Sequence, residues 1–237
     1  VVACVNSPES TTISGDVAAL EELQAALATT SVFNRRIKVD SAYHSHHMEL
    51  VAPSYLSSLD GLVAGETRDE VAFFSSVTGV RKTSGFGADY WVSNLVSQVK
   101  FSTASQLVAQ HVSDTHSSGT NMLIEIGPHA ALSGPLRQSL SDAHFKLAPS
   151  GSFKYNYSPC LVRNTSALKS VLTLVGKVFD SGSPVRLSTS VSDVQPRVVP
   201  ELPTYPWDHS NTYWRESRLS KKNRMRPFPP HDLLGLF

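Results

Sequence analysis

The feature that most constrains the fold is the run Asn-Met-Leu-Ile-Glu-Ile at 121–126, which stops at Gly127-Pro128 and is followed by leucines at 132, 136 and 140. A short apolar run closed by strand breakers reads as a buried strand of the parallel type, and leucines every fourth residue read as one face of a covering helix. The same unit recurs downstream. Tyr-Ser-Pro-Cys-Leu-Val at 157–162 precedes a second helical face at Leu168, Val171, Leu172 and Val175. Strands alternating with helices predict α/β architecture, with helices covering a mainly parallel sheet.

The flanking regions differ. Val1–Val5 and Thr11–Ser14 read as two strands around a turn cluster. Asp16 is the expected cap of a helix through Val17, Leu20, Leu23 and Leu27, and Val32–Val39 is the expected closing strand. That β-β-α-β order is most of a ferredoxin-like unit. Met48, Val51, Tyr55 and Leu59 mark another helical face, with Pro53 inside it, and Val71–Val77 reads as a strand. Asp89–Leu95 reads as a short helical turn, and Ser102 as the cap of a helix carrying Leu107, Val108 and Val112. Residues 181–230 hold many prolines and the aromatics Tyr205, Trp207, Tyr213 and Trp214 with few periodic runs, as in an extended segment laid over other surfaces.

Charge narrows the function. Basic and acidic residues number 21 and 20, a net +1, so no overall field favours nucleic acid or a membrane surface. Six Lys/Arg face one Glu between Arg215 and Arg226, but the prolines that follow favour a solvated linker. Cys4 and Cys160 lie far apart without metal spacing, which suits a reducing, cytoplasmic setting. No apolar run approaches the roughly 20 residues of a bilayer span. The chain opens mid-strand without a methionine and closes on an apolar segment, so a piece of a larger protein is expected.

His44, His46 and His47 fall within four positions. On a strand His44 and His46 share a face, on a helix His44 and His47 do, and no regular structure presents all three, so the expectation is no metal. His46 and His47 read as surface residues at a helix start. His44 follows Ser41, Ala42 and Tyr43 at an expected strand-to-helix junction, where a histidine has the titration range for a general base acting on a serine hydroxyl.

Five segments in order, Asn6–Asp16, Ala42–Met48, Tyr90–Phe101, Leu123–Leu132 and Leu202–Ser217, together resemble the acyltransferase domain of polyketide and fatty acid synthases. The nearest resemblance is to fungal, iterative, highly reducing polyketide synthases. It implies an α/β-hydrolase-like core with an inserted ferredoxin-like subdomain. It also implies that His44 is the catalytic histidine of a Ser-His dyad, and that the backbone carbonyl of Asn94 holds its ring in place of an acid. By the same resemblance Tyr43, with Ala42 and Ser41, lines the substrate site and favours malonyl over methylmalonyl, while Asn6 lines the cleft from the small subdomain. His129 is expected to pack or cap a helix.

Two features of that family have no match here. No Gly-x-Ser-x-Gly elbow occurs in the 237 residues, and no arginine matches the one that pairs with the malonyl carboxylate. Both are expected upstream of Val1. The resemblance therefore divides the chain into the tail of the ferredoxin-like subdomain (1–39), the C-terminal part of the acyltransferase core (40–180), a post-acyltransferase linker (181–230) and the start of a dehydratase (231–237). The implied substrate is malonyl-CoA, the acceptor is the phosphopantetheine arm of an acyl carrier protein, and no cofactor is bound by this chain. The implied neighbours are ketosynthase and dehydratase domains in a homodimeric parent. A non-catalytic docking module between synthase domains is the rival reading.

Overall fold

The computed structural model describes residues 1–115, 120–141, 153–186, 200–211, 214–226 and 233, and the chain divides into two compact units, Val1–Val185 and Arg186–Phe237. In the first unit β1 (Val2–Ser7) and β2 (Ser10–Ile13) form the expected antiparallel hairpin, and α1 (Val17–Leu27) follows. Residues 32–39 form no strand. Val32, Phe33, Ile37 and Val39 are apolar residue types common in strands, but a strand exists only where a neighbour takes up its backbone N–H and C=O groups, and no described segment pairs with this one.

A 3-10 turn (His46–Leu50) leads into α2 (Ala52–Ser58), with Pro53 in its first turn where a missing N–H costs nothing. The expected strand at 71–77 shrinks to β3 (Phe74–Ser75), paired antiparallel with β4 (Val80–Arg81). The helical turn expected at 89–95 is a full helix, α3 (Ala88–Val96), and α4 (Phe101–Thr115) comes next. Ser102 lies inside α4 rather than capping it. The Ala104 N–H already bonds the Lys100 carbonyl at 3.0 Å, so the helix begins before Ser102.

The strand-helix units are present as read. β5 (Asn121–Glu125) runs parallel to β6 (Tyr155–Pro159), with Leu123 opposite Tyr157, and the helices α5 (Ser133–Leu140) and α6 (Ala167–Asp180) follow their strands. Of the expected mainly parallel sheet the described residues show the parallel β5–β6 pair, beside the short antiparallel pair β3–β4. One further parallel link, Cys4 to Val99, attaches the segment after α3 to β1.

Small side chains fill the centre. Ala3, Ala104 and Ala109 are buried, as are Ser7, Ser102 and Ser139, so β1, α4 and α5 approach closely. Each buried hydroxyl has a partner: Ser7 Oγ bonds Gln138 Oε1 at 2.6 Å, and Ser139 Oγ bonds Ser102 Oγ at 3.0 Å. A buried hydroxyl without a partner would cost about 1–3 kcal/mol, so this layer orders the three elements more strictly than apolar contacts would. Large apolar groups including Phe33, Val63 and Ile126 remain exposed.

In the second unit the basic run expected to be linker forms a helix, α7 (Arg218–Arg224). Ser217 Oγ accepts the Ser220 N–H at its start, and Glu216 bonds Arg224 Nη2 at 2.7 Å, which lowers the Glu216 carboxyl. Tyr205, Trp207 and Trp214 are exposed there. The segment expected to open a dehydratase, 231–237, lies outside the described residues apart from Leu233. No described helix is long and apolar enough to cross a membrane.

Candidate active site

The site is built around His44, whose backbone has φ 58°, a left-handed conformation that residues other than glycine adopt infrequently. Its neighbours hold it there. Ser45 is buried, its hydroxyl donates to the Ala42 carbonyl at 2.6 Å, and the same oxygen accepts the His47 N–H at 3.2 Å. One side chain thereby closes the tight turn on both sides of residue 44 and starts the 3-10 turn. Such strain persists only where surrounding bonds over-determine it, and it concentrates at functional positions.

The turn aims the imidazole at backbone. His44 Nδ1 lies 3.1 Å from the carbonyl oxygen of Ser97. A carbonyl can only accept, so Nδ1 carries the proton, and in the neutral ring Nε2 then keeps its lone pair, the tautomer a general base requires. The acceptor is Ser97 and not Asn94, a correction with a simple cause. Asn94 is inside α3, where carbonyls point along the helix axis, whereas Ser97 is the residue that ends α3, with extended backbone at ψ 157° that turns its carbonyl out of the helix. The segment beyond is fastened to β1. Val99 N–H bonds the Ala3 carbonyl, Val5 N–H bonds the Val99 carbonyl, both at 2.8 Å, and Gln98 Nε2 reaches the Val2 carbonyl at 3.0 Å.

The remaining candidates divide. Ser41, Ala42 and Tyr43 share the turn with His44, and Tyr43 is 53% exposed, so its ring is available to a ligand. Asn6 stands on β1 two residues beyond the Cys4–Val99 link, but its Nδ2 donates to Thr12 Oγ1 at 3.0 Å. Asn6 braces the hairpin, and its Oδ1 and second Nδ2 hydrogen are left for a ligand.

A carboxylate in the apolar strand β5 escaped the sequence reading. Glu125 accepts the Ala131 N–H at 3.0 Å on one oxygen and the Leu132 N–H at 3.1 Å on the other, folding the Gly127–Leu132 loop onto the strand. Tyr157 on β6 donates its hydroxyl to the same carboxylate. Burial, together with Glu125, pushes the Tyr157 phenol well above its ordinary value. A lone acid in an otherwise apolar strand was the available signal. His129 is half-buried in this loop, and its carbonyl accepts the Ala131 N–H.

The chain is similar to known proteins in sequence and in fold. The family profile described as Acyl transferase domain matches residues 1–185. A highly reducing polyketide synthase, ltbA of Aspergillus luteorubrus, is 48% identical over 241 residues, covering 100% of this chain and 7% of that protein. Another, sdnO of Sordaria araneosa, is 49% identical over 244 residues, covering 100% of this chain and 8% of its own length. The chain thus spans less than a tenth of either curated relative. Among solved structures, the acyltransferase domain from module 8 of the salinomycin polyketide synthase is 31% identical with a TM-score of 0.63, covering 78% of this chain and 40% of that one. By the profile match across most of its length, the chain belongs to the acyl transferase domain family.

Proposed function

We propose that this chain supplies the general base of a malonyl-CoA:acyl carrier protein acyltransferase inside a multidomain synthase. The observation that carries the reading is the His44 Nδ1 bond to the Ser97 carbonyl, which leaves Nε2 free to take a proton. In this reading Nε2 deprotonates a serine hydroxyl outside the 237 residues, and the alkoxide attacks the malonyl thioester. The imidazolium then returns the proton to the departing CoA sulfur. In the second half-reaction the phosphopantetheine thiol of the carrier protein gives its proton to the same nitrogen and attacks the malonyl ester, and the departing serine oxygen takes that proton back. A neutral carbonyl orienting the ring, in place of an acid, keeps a buried negative charge out of the site.

Tyr43 would press against the α-carbon of the acyl group and disfavour a branching methyl, a discrimination of about 1–3 kcal/mol. The proposed boundaries are a ferredoxin-like tail at 1–39, the core at 40–180, a linker at 181–230 and a dehydratase start at 231–237. The exposed aromatics Tyr205, Trp207 and Trp214 suit the linker as anchors on neighbouring domains.

The test is malonyl loading by the full-length parent carrying His44→Ala. Incorporation of radiolabelled malonyl is expected to fall by about two to four orders of magnitude, the usual contribution of a general base. Loading near the wild-type rate overturns the role given to His44.

A further inference from the structure

Asp16 stands at the N-cap position of α1, yet its side chain makes no capping hydrogen bond. It turns instead to the 3-10 turn, where an Asp16 carboxylate oxygen lies 2.9 Å from His47 Nε2. The two atoms are close without hydrogen-bond alignment, and His47 Nε2 is shut off from solvent with no hydrogen-bond partner. The ring of His46 lies alongside, its centroid 4.4 Å from that of His47. One ligand atom from each of Asp16, His46 and His47 falls within 4.8 Å of the others. A solvent-shielded ring nitrogen without a hydrogen-bond partner, grouped with a carboxylate and a second imidazole, is an unsatisfied donor set that a metal ion held by all three would satisfy.

We propose that Asp16, His46 and His47 form a binding site for a divalent transition ion of borderline softness, with zinc the best fit. Two neutral imidazoles and a carboxylate are a donor set such ions favour, and a water would complete a four-coordinate shell. Ligand bonds of about 2 Å in a tetrahedral shell place donor atoms roughly 3.3 Å apart. Asp16 and His47 already stand 2.9 Å apart, so the adjustment falls on the exposed side chains of Asp16 and His46. Consecutive histidines in a regular strand or helix diverge. The 3-10 turn brings these two rings side by side, and the third donor comes from 30 residues upstream, where spacing within one segment could not reveal it.

The location couples the site to the turn at His44. The backbone N–H of His47 bonds the Ser45 hydroxyl that closes that turn, so an ion tied to His46, His47 and Asp16 would fasten the His44 turn to the start of α1. His44 is not one of the three grouped donors, and its Nδ1 is engaged by Ser97.

The experiment is histidine footprinting of the chelator-treated full-length parent with diethylpyrocarbonate, read by tandem mass spectrometry with and without zinc. Zinc at micromolar concentration is expected to slow modification of His46 and His47 by about tenfold while leaving His129 unchanged, and Asp16→Asn is expected to remove most of that protection. Equal reactivity of His46 and His47 up to millimolar zinc overturns the site and leaves a plain Asp16–His47 ion pair. Full protection surviving in Asp16→Asn overturns the assignment of the third ligand. The wild-type arm decides the first point even if the variant folds poorly.

Discussion

Ser45→Ala isolates the role of the turn from that of the imidazole it presents. The substitution removes one hydroxyl that is 3% exposed and makes two bonds, to the Ala42 carbonyl at 2.6 Å and from the His47 N–H at 3.2 Å. Each bond contributes about 0.5–1.5 kcal/mol net, so together they hold the turn by about 1–3 kcal/mol. The left-handed backbone at residue 44 opposes them with a cost of about 1–2 kcal/mol. The two quantities are comparable, so without the hydroxyl the turn has a relaxed alternative in which Nδ1 leaves the Ser97 carbonyl. A loss of 1–3 kcal/mol in the competent state corresponds to about 5- to 150-fold in rate. The assay is single-turnover malonyl transfer by the full-length parent. The first-order rate is expected to fall by that factor while the apparent malonyl-CoA affinity stays within about twofold, because Ser45 is buried beneath the turn. A variant loading at the wild-type rate would refute the claim that Ser45 maintains the histidine's geometry.

Replacing Tyr43 by Val should open space beside the acyl α-carbon; the ratio of methylmalonyl to malonyl loading in a competition assay is expected to rise by about tenfold, and an unchanged ratio would remove Tyr43 from the specificity site. Tyr157→Phe tests the loop clamp through pH. The Tyr157 phenol is raised in the folded state, chiefly by burial and further by Glu125. Its stabilising contribution is therefore complete below the ordinary phenol range near 10 and declines as pH rises from there toward the folded value. In urea denaturation of the complete acyltransferase domain between about pH 8 and 11, the variant should be less stable at pH 8 by about 1 kcal/mol and show a shallower alkaline decline. Parallel curves for variant and wild type would dissociate the phenol from stability.

What could be read along the chain depended on how local each feature is. The β5-turn-α5 unit was legible because strand, breaker and helical face are contiguous, and the β1–β2 hairpin because its turn residues separate two β-rich runs. Residues 32–39 misled because β-prone residue types record how a segment could pair and not whether a partner is present. Asp16 does stand at the N-cap of α1, as its residue type predicts, but its side chain makes no capping bond and lies beside His47 on another segment instead.

The division at the site follows the same physics. The candidacy of His44 came from its residue type and local neighbours, and the resemblance gave it a role. The acceptor at Ser97 could not be read at all, since every residue carries the same carbonyl and only the end of α3, secured to β1 through Val99, decides which one faces the ring. Side-chain chemistry and periodicity are properties of the chain and were available from the sequence. The left-handed turn, the partner of the imidazole and the meeting of Asp16 with His46 and His47 depend on segments far apart in sequence, and only packing in three dimensions brings those together.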